Sequence, residues 1–151
     1  MQASWIAGIC ILSVSAFAAD PVLGTWRLNL TKSHYNPGPA PRSQVRLYVA
    51  KDGGMSVTIK TVTDEGKSTT VRHPLNYDGK EYIVTGSSSS NAIKVERVNE
   101  YTAEAILHHA SKIIGTNRRT VSTDRKTLTI VYDGTDDRGR KVKNTAVYDR
   151  Q

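Results

Sequence analysis

Cysteine is almost missing from this chain. The single one, Cys10, lies inside an apolar run near the start, and residues 20–151 contain none. A folded body without cysteine has neither a disulfide nor a thiol nucleophile. Other signatures are missing too. No window carries an apolar stripe at helical spacing. The four histidines, His34, His73, His108 and His109, form no HExxH pair, and adjacent His108 and His109 point to opposite faces of a strand. The serines of "TGSSSSN" (85–91) lack the Gly-x-Ser-x-Gly frame of a nucleophile elbow. "DGTDDRG" (133–139) lacks the spaced ligands and closing Glu of a calcium loop, and Arg138 and Arg140 would repel the ion. The carboxylates lie mostly in turns, with no visible acid–base pair. These absences point away from an enzyme, a metal site and a bound cofactor.

What is present begins with "WIAGICILSVSAFAAD" (5–20), an apolar run that ends in small residues. Ala16-Phe17-Ala18 fits a signal-peptidase site, with the cut near Ala18 or Ala19. The run is short for a membrane span and is followed at once by polar chain. The expected organisation is a signal peptide over 1–19 and one domain over 20–151. The product is secreted or periplasmic, with no stable transmembrane segment after cleavage. About 130 residues bury enough apolar surface to fold without disulfides. The net charge of +7 resides wholly beyond the cut, with a denser patch at Arg138, Arg140, Lys141 and Lys143. In an exported protein such charge suits an anionic lipid, an envelope polymer or an acidic ligand better than nucleic acid.

The body of the chain reads with period two. Val45, Leu47 and Val49 alternate with polar residues, as do Met55, Val57 and Ile59, and then Leu128, Ile130 and Tyr132. This is the pattern of strands with one buried and one wet face. Asp- and Gly-rich breaks at "KDGG" (51–54), "TDEGK" (63–67), "YDGK" (77–80) and "TDRK" (123–126) read as hairpin turns. Short connections favour an up-and-down meander, and a meander of this length protects its edges by closing into a barrel. The expected fold is all-β, an antiparallel barrel of about 8–10 strands. "KSHYNPGPAPRS" (32–43), with three prolines in five residues, is expected to be irregular and to exclude a helix.

Two ends of this body resemble known barrels. "GTWRLNL" (24–30) is similar to the opening of the fatty-acid-binding proteins and to the Gly-x-Trp of the lipocalins, and "AVYDRQ" (146–151) is similar to the close of the former. Taken with the Pro-Gly-Pro-x-Pro loop and Asp-Gly-Lys-Glu-Tyr, the pattern resembles a group of small secreted bacterial lipocalin-like proteins. The resemblance implies a calycin-type barrel whose ligand is small and hydrophobic or amphipathic. It implies that Gly24 admits the chain to the first strand and that Trp26 plugs the barrel bottom against a late arginine, with Arg118, Arg119 and Arg150 as candidates. The helical lid of the fatty-acid-binding proteins has no counterpart in the short proline-rich connection. The position of their terminal Arg is Ala146, so their carboxylate clamp does not carry over intact.

Strand parity supplies candidates of its own. Arg97 shares a face with Ile93 and Val95, Arg119 with Ile113, Asn117 and Val121, Tyr132 with Ile130, and Tyr148 with Ala146. Arg97, Arg119, Tyr132 and Tyr148 are therefore the expected ligand-binding residues, orienting the acidic head of an amphipathic ligand such as a fatty acid or lipid. The alternative for the arginines is that they reach solvent or pair with Glu96 or Glu104. Ala103, Ala105, Gly115 and Ala146 on the same faces leave room for a cavity. The competing function is an interaction module whose basic surface binds an envelope component or protein partner, with no internal ligand.

Overall fold

The computed structural model describes residues 19–151. Residues 1–18 of the expected signal peptide (1–19), with Cys10 and Ala18, lie outside the described residues. Eleven strands follow in order: β1 (Gly24–Leu28), β2 (His34–Asn36), β3 (Ser43–Lys51), β4 (Gly54–Val62), β5 (Ser68–Leu75), β6 (Glu81–Ile83), β7 (Ala92–Arg97), β8 (Thr102–His109), β9 (Lys112–Val121), β10 (Thr127–Thr135) and β11 (Lys141–Arg150). One turn of 3-10 helix, Leu30–Lys32, sits between β1 and β2. Among the described residues no helix is long and apolar enough to cross a membrane.

All pairings are antiparallel and run β5-β4-β3-β1-β11-β10-β9-β8-β7-β6. β2 stands off this path, against the first half of β11, while β1 pairs with its second half. β1 and β2 are thus two pieces of one broken strand, and ten places go around the barrel. The ends of the path meet through a reciprocal pair of hydrogen bonds between Arg72 and Thr85, each 2.9 Å. The result is an up-and-down, nearly closed antiparallel barrel with a thin seam between β5 and β6.

Four details differ from the sequence reading. β2 occupies three residues of the segment expected to be irregular, because the prolines begin only at Pro37 and leave His34–Asn36 free to pair. β10 runs through Thr135, which shortens the expected 133–139 loop to the turn at Asp136–Arg140. Ile113 is 64% exposed, because the register shifts at Leu107/His108 and turns the start of β9 outward. The fourth concerns β3. Val45, Leu47 and Val49 face outward, and Gln44, Arg46 and Tyr48 face the interior. The register enforces this, since Trp26 lies opposite Arg46 and Gly24 opposite Tyr48. Directly opposed residues share a face, so the inward Trp26 carries Arg46 and Tyr48 in with it.

One end of the barrel is sealed. Trp26 is 0% exposed, and its indole N–H donates to the Val22 carbonyl (2.7 Å). The Arg150 guanidinium stacks 4.1 Å from the Trp26 ring centre and donates to the carbonyls of Leu23 (2.7 Å), Pro21 (2.6 Å) and Arg125 (2.5 Å). Of the three candidate arginines, Arg150 is the one on Trp26. Gly24 serves this lock twice. Its φ of +124° suits glycine, and a Cβ there would lie 2.6 Å from Arg150 Nη1. Arg150→Ala is expected to lower unfolding free energy by about 2–4 kcal/mol, from three charge-assisted hydrogen bonds and one cation–π contact. Urea titration checks this, and a loss below about 0.5 kcal/mol, the range of an ordinary surface change, would contradict it.

Candidate functional site

The site lies in the barrel interior above the Trp26 plug. β3 brings in Gln44, Arg46 and Tyr48, β9 brings in Asn117 and Arg119, and β11 brings in Tyr148. Arg46 donates from Nε to Gln44 Oε1 (3.1 Å) and to the Tyr148 hydroxyl (3.0 Å). The Tyr148 hydroxyl donates onward to Gln44 Oε1 (2.5 Å). Arg119 is 7% exposed and sits 5.4 Å from the Tyr48 ring centre and 5.6 Å from that of Tyr77. Its Nη2 donates to the Tyr77 hydroxyl, which donates to Asp20 Oδ2 (2.8 Å). The Arg119 Nε is buried and has no hydrogen-bond partner among the described residues.

Between these groups lies a cavity of about 30 Å³, lined by Arg46, Arg119, Asn117 and His73 together with apolar residues such as Leu75 and Ile93. No carboxylate lines it. That volume holds a water or a small anionic group, not a whole fatty acid.

The groups around the two arginines stay neutral at physiological pH. Burial pushes the Tyr148 phenol above its ordinary value, and Arg46 opposes that rise. Burial pushes Tyr77 up to about 12, with Arg119 opposing and Asp20 adding to the rise. Burial pulls against the charge on Arg46, but the Tyr148 and Tyr48 phenols outweigh it and hold its pKa above the usual arginine value. His73 moves the other way. Burial lowers its pKa, the Pro74 carbonyl opposes this, and Arg46 and Arg119 push it lower still. Its Nδ1 donates to the Pro74 carbonyl (2.8 Å), which leaves Nε2 a bare acceptor in the neutral ring. The lining thus carries two positive charges with none opposed to them.

Two of the larger depressions lie at openings of the barrel. A cleft of about 480 Å³ opens along the thin β5–β6 seam, with Met55, Tyr82 and Ile83 in its wall. It shares His73 and Leu75 with the interior cavity. The second, about 400 Å³, is the barrel mouth at the end opposite Trp26. Three loops are tied across it: Arg138 bonds Glu65 (2.9 Å), and Arg140 pairs with Asp136 (2.8 Å) and donates to the Gly38 carbonyl (3.2 Å). The mouth shares no lining residue with the interior cavity.

The four residues expected to bind ligand are not all in one place. Arg119 lines the cavity, and Tyr148 stands behind Arg46 beside it. Arg97 is at the sealed end, exposed, paired with Asp20 and stacked 4.2 Å from the Tyr77 ring centre. Tyr132 is toward the mouth, where its hydroxyl donates to the Thr135 carbonyl (2.8 Å). The room expected at Gly115 is taken by the Tyr132 ring, whose hydroxyl lies 2.6 Å from where a Cβ would be. Arg46, Tyr48, His73 and Tyr77 were not among the expected residues. The signal for Arg46 and Tyr48 was parity with Trp26 across β1 and β3.

The fold is a nearly closed antiparallel β-barrel, consistent with a calycin-type fold in general, and its shape is compatible with an internal ligand. In comparisons with known proteins, no family model matches the chain and no curated protein matches it.

The buried His73 sets a pH dependence. With its folded pKa depressed, it contributes stability that is fully present above the unfolded value of about 6.5. That contribution is lost as pH falls from there through the folded pKa. The melting temperature is expected to fall between pH 7.5 and pH 5, and His73→Gln should flatten that fall. Parallel pH profiles for the two proteins would contradict the assignment.

Proposed function

We propose that this protein is an exported lipocalin-like carrier that binds a small amphipathic anion without covalent chemistry. The observation that carries this reading is the pair Arg46 and Arg119 on a cavity whose lining holds no carboxylate. Leaving a buried charge without a partner costs about 3–5 kcal/mol. The Arg119 Nε, buried and without a partner among the described residues, is a donor left for an oxyanion. Guanidinium groups suit such a ligand because they offer planar, paired donors.

The 30 Å³ cavity takes the acidic head. The tail lies in the β5–β6 cleft, against Met55, Leu75 and Ile83, and passes His73 on the way in. Apolar burial in the cleft supplies affinity, and the arginines fix orientation. The apolar leader and the cysteine-free body support export. Tyr148 acts by holding Arg46, and Arg97 and Tyr132 belong to the closure of the two barrel ends.

Under native mass spectrometry the purified protein is expected to retain a small anionic amphiphile. Arg119→Met should weaken binding of the anionic probe 1-anilinonaphthalene-8-sulfonate by about 10–100-fold, the worth of a hydrogen bond to a charged group. Its stability should stay equal or rise, because an apolar side chain of similar volume replaces a buried charge. Unchanged probe affinity in a folded Arg119→Met protein would contradict the reading.

A further inference from the structure

The outside of the barrel carries its charge unevenly. On the half built from β7 to β11, outward cations sit beside acids: Lys94 with Glu96, Arg118 with Glu104 and Lys143 with Asp133. The half built from β1, β3, β4 and β5 differs. Not one residue of these four strands is Asp or Glu. Their outward positions form cross-strand rows. One runs Arg27, Val45, Lys60, Thr70, the next Thr25, Leu47, Thr58, Arg72, and the last Val49, Ser56, Pro74. Arg27, Lys60 and Arg72 are exposed, and among the described residues none is in an ion pair. Between them stand Leu47, 39% exposed, and Val49, 48% exposed.

We infer that this face docks on an anionic lipid bilayer. The charge pattern selects an anionic partner, and the apolar ridge selects its kind. An anionic polymer would satisfy Arg27, Lys60 and Arg72 but would leave Leu47 and Val49 in water. A bilayer interface takes both, with the aliphatic side chains between headgroups and the long cationic ones reaching the phosphates from either side. The placement has a consequence for the barrel. Lys51, Ser56, Arg72 and Pro74 belong to this face and also line the β5–β6 cleft. Docking therefore sets the cleft beside the headgroups, where an amphiphile enters or leaves without crossing bulk water. The docking face stands independently of the interior ligand, because none of its cations lines the inner cavity.

Vesicle co-sedimentation tests it. All proteins compared share residues 1–19, so any contribution of that apolar run cancels. The protein is expected to bind vesicles of phosphatidylglycerol and phosphatidylcholine more tightly than phosphatidylcholine alone, with the excess weakened by salt. Lys60→Glu with Arg72→Glu should lower binding by about 25-fold or more, at roughly fivefold for each cation lost. The charge-matched pair Lys112→Glu with Lys141→Glu, on β9 and β11 outside these four strands, should change it by less than about twofold on the same scale. Leu47→Ser with Val49→Ser should lower it by about fivefold, since those side chains lose apolar burial. Arg119→Met should leave vesicle binding unchanged, which separates this test from that of the interior site. Absence of binding to the anionic vesicles would overturn the inference. So would equal losses from the two charge pairs, which would make net charge alone responsible. Full binding by the serine pair, with dextran sulfate bound as tightly as vesicles, would replace the bilayer with an anionic polymer.

Discussion

Two guanidiniums turned into a barrel that offers them no carboxylate are the constraint around which this interior is arranged. Arg46 is held by Gln44 and Tyr148, and Arg119 by Tyr77 and the ring faces of Tyr48 and Tyr77. Of the groups beside them, His73, Tyr77 and Tyr148 are held neutral by burial. The one acid within reach, Asp20, meets Arg119 only through the Tyr77 hydroxyl and is itself engaged by Arg97 at the sealed end. A barrel optimised only for stability would place aliphatic side chains at these positions, since paired burial of charge rarely gains over apolar packing. Retaining two uncompensated cations therefore reads as the imprint of a function, at some expense in stability.

The two ends and the seam divide the remaining work. Trp26, Arg150 and Gly24 seal one end with contacts that fix the chain entry. The mouth is crossed by ion pairs among exposed side chains, which contribute little energy each and are weakened by salt. The β5–β6 seam is the weakest part of the wall, held at Arg72 and Thr85, and it is also where the cleft touches the inner cavity through His73 and Leu75. Closure and access are thus assigned to different parts of the barrel.

Much of the architecture was legible in the sequence because it rests on local rules. The turns at 51–54 and 123–126 needed residues that accept positive φ, and Asp52, Gly53 and Arg125 adopt it. Parity alone brought Arg119 and Tyr148 to the interior, because β9, β10 and β11 run without a break in register past those positions. β3 was misleading for a physical reason. Its three aliphatic residues lie on the outer face and its Gln, Arg and Tyr on the inner one, so hydrophobic alternation points the wrong way. Only the pairing with Trp26 across β1 reverses it, and pairing is a tertiary fact. His73 and Tyr77 were illegible for a related reason: one borders a seam, and the other closes an end through Asp20, some 57 residues earlier in the chain.

A carrier of the proposed kind selects in its interior for negative charge, not merely for apolar bulk. Calorimetric titration of the protein at pH 7.5 with decanoate and with decanol, ligands of one tail and two heads, tests it most directly. Decanoate is expected to bind tighter by about tenfold or more, the worth of one charge-assisted hydrogen bond in a buried site. Equal affinities, or tighter binding of decanol, would contradict it.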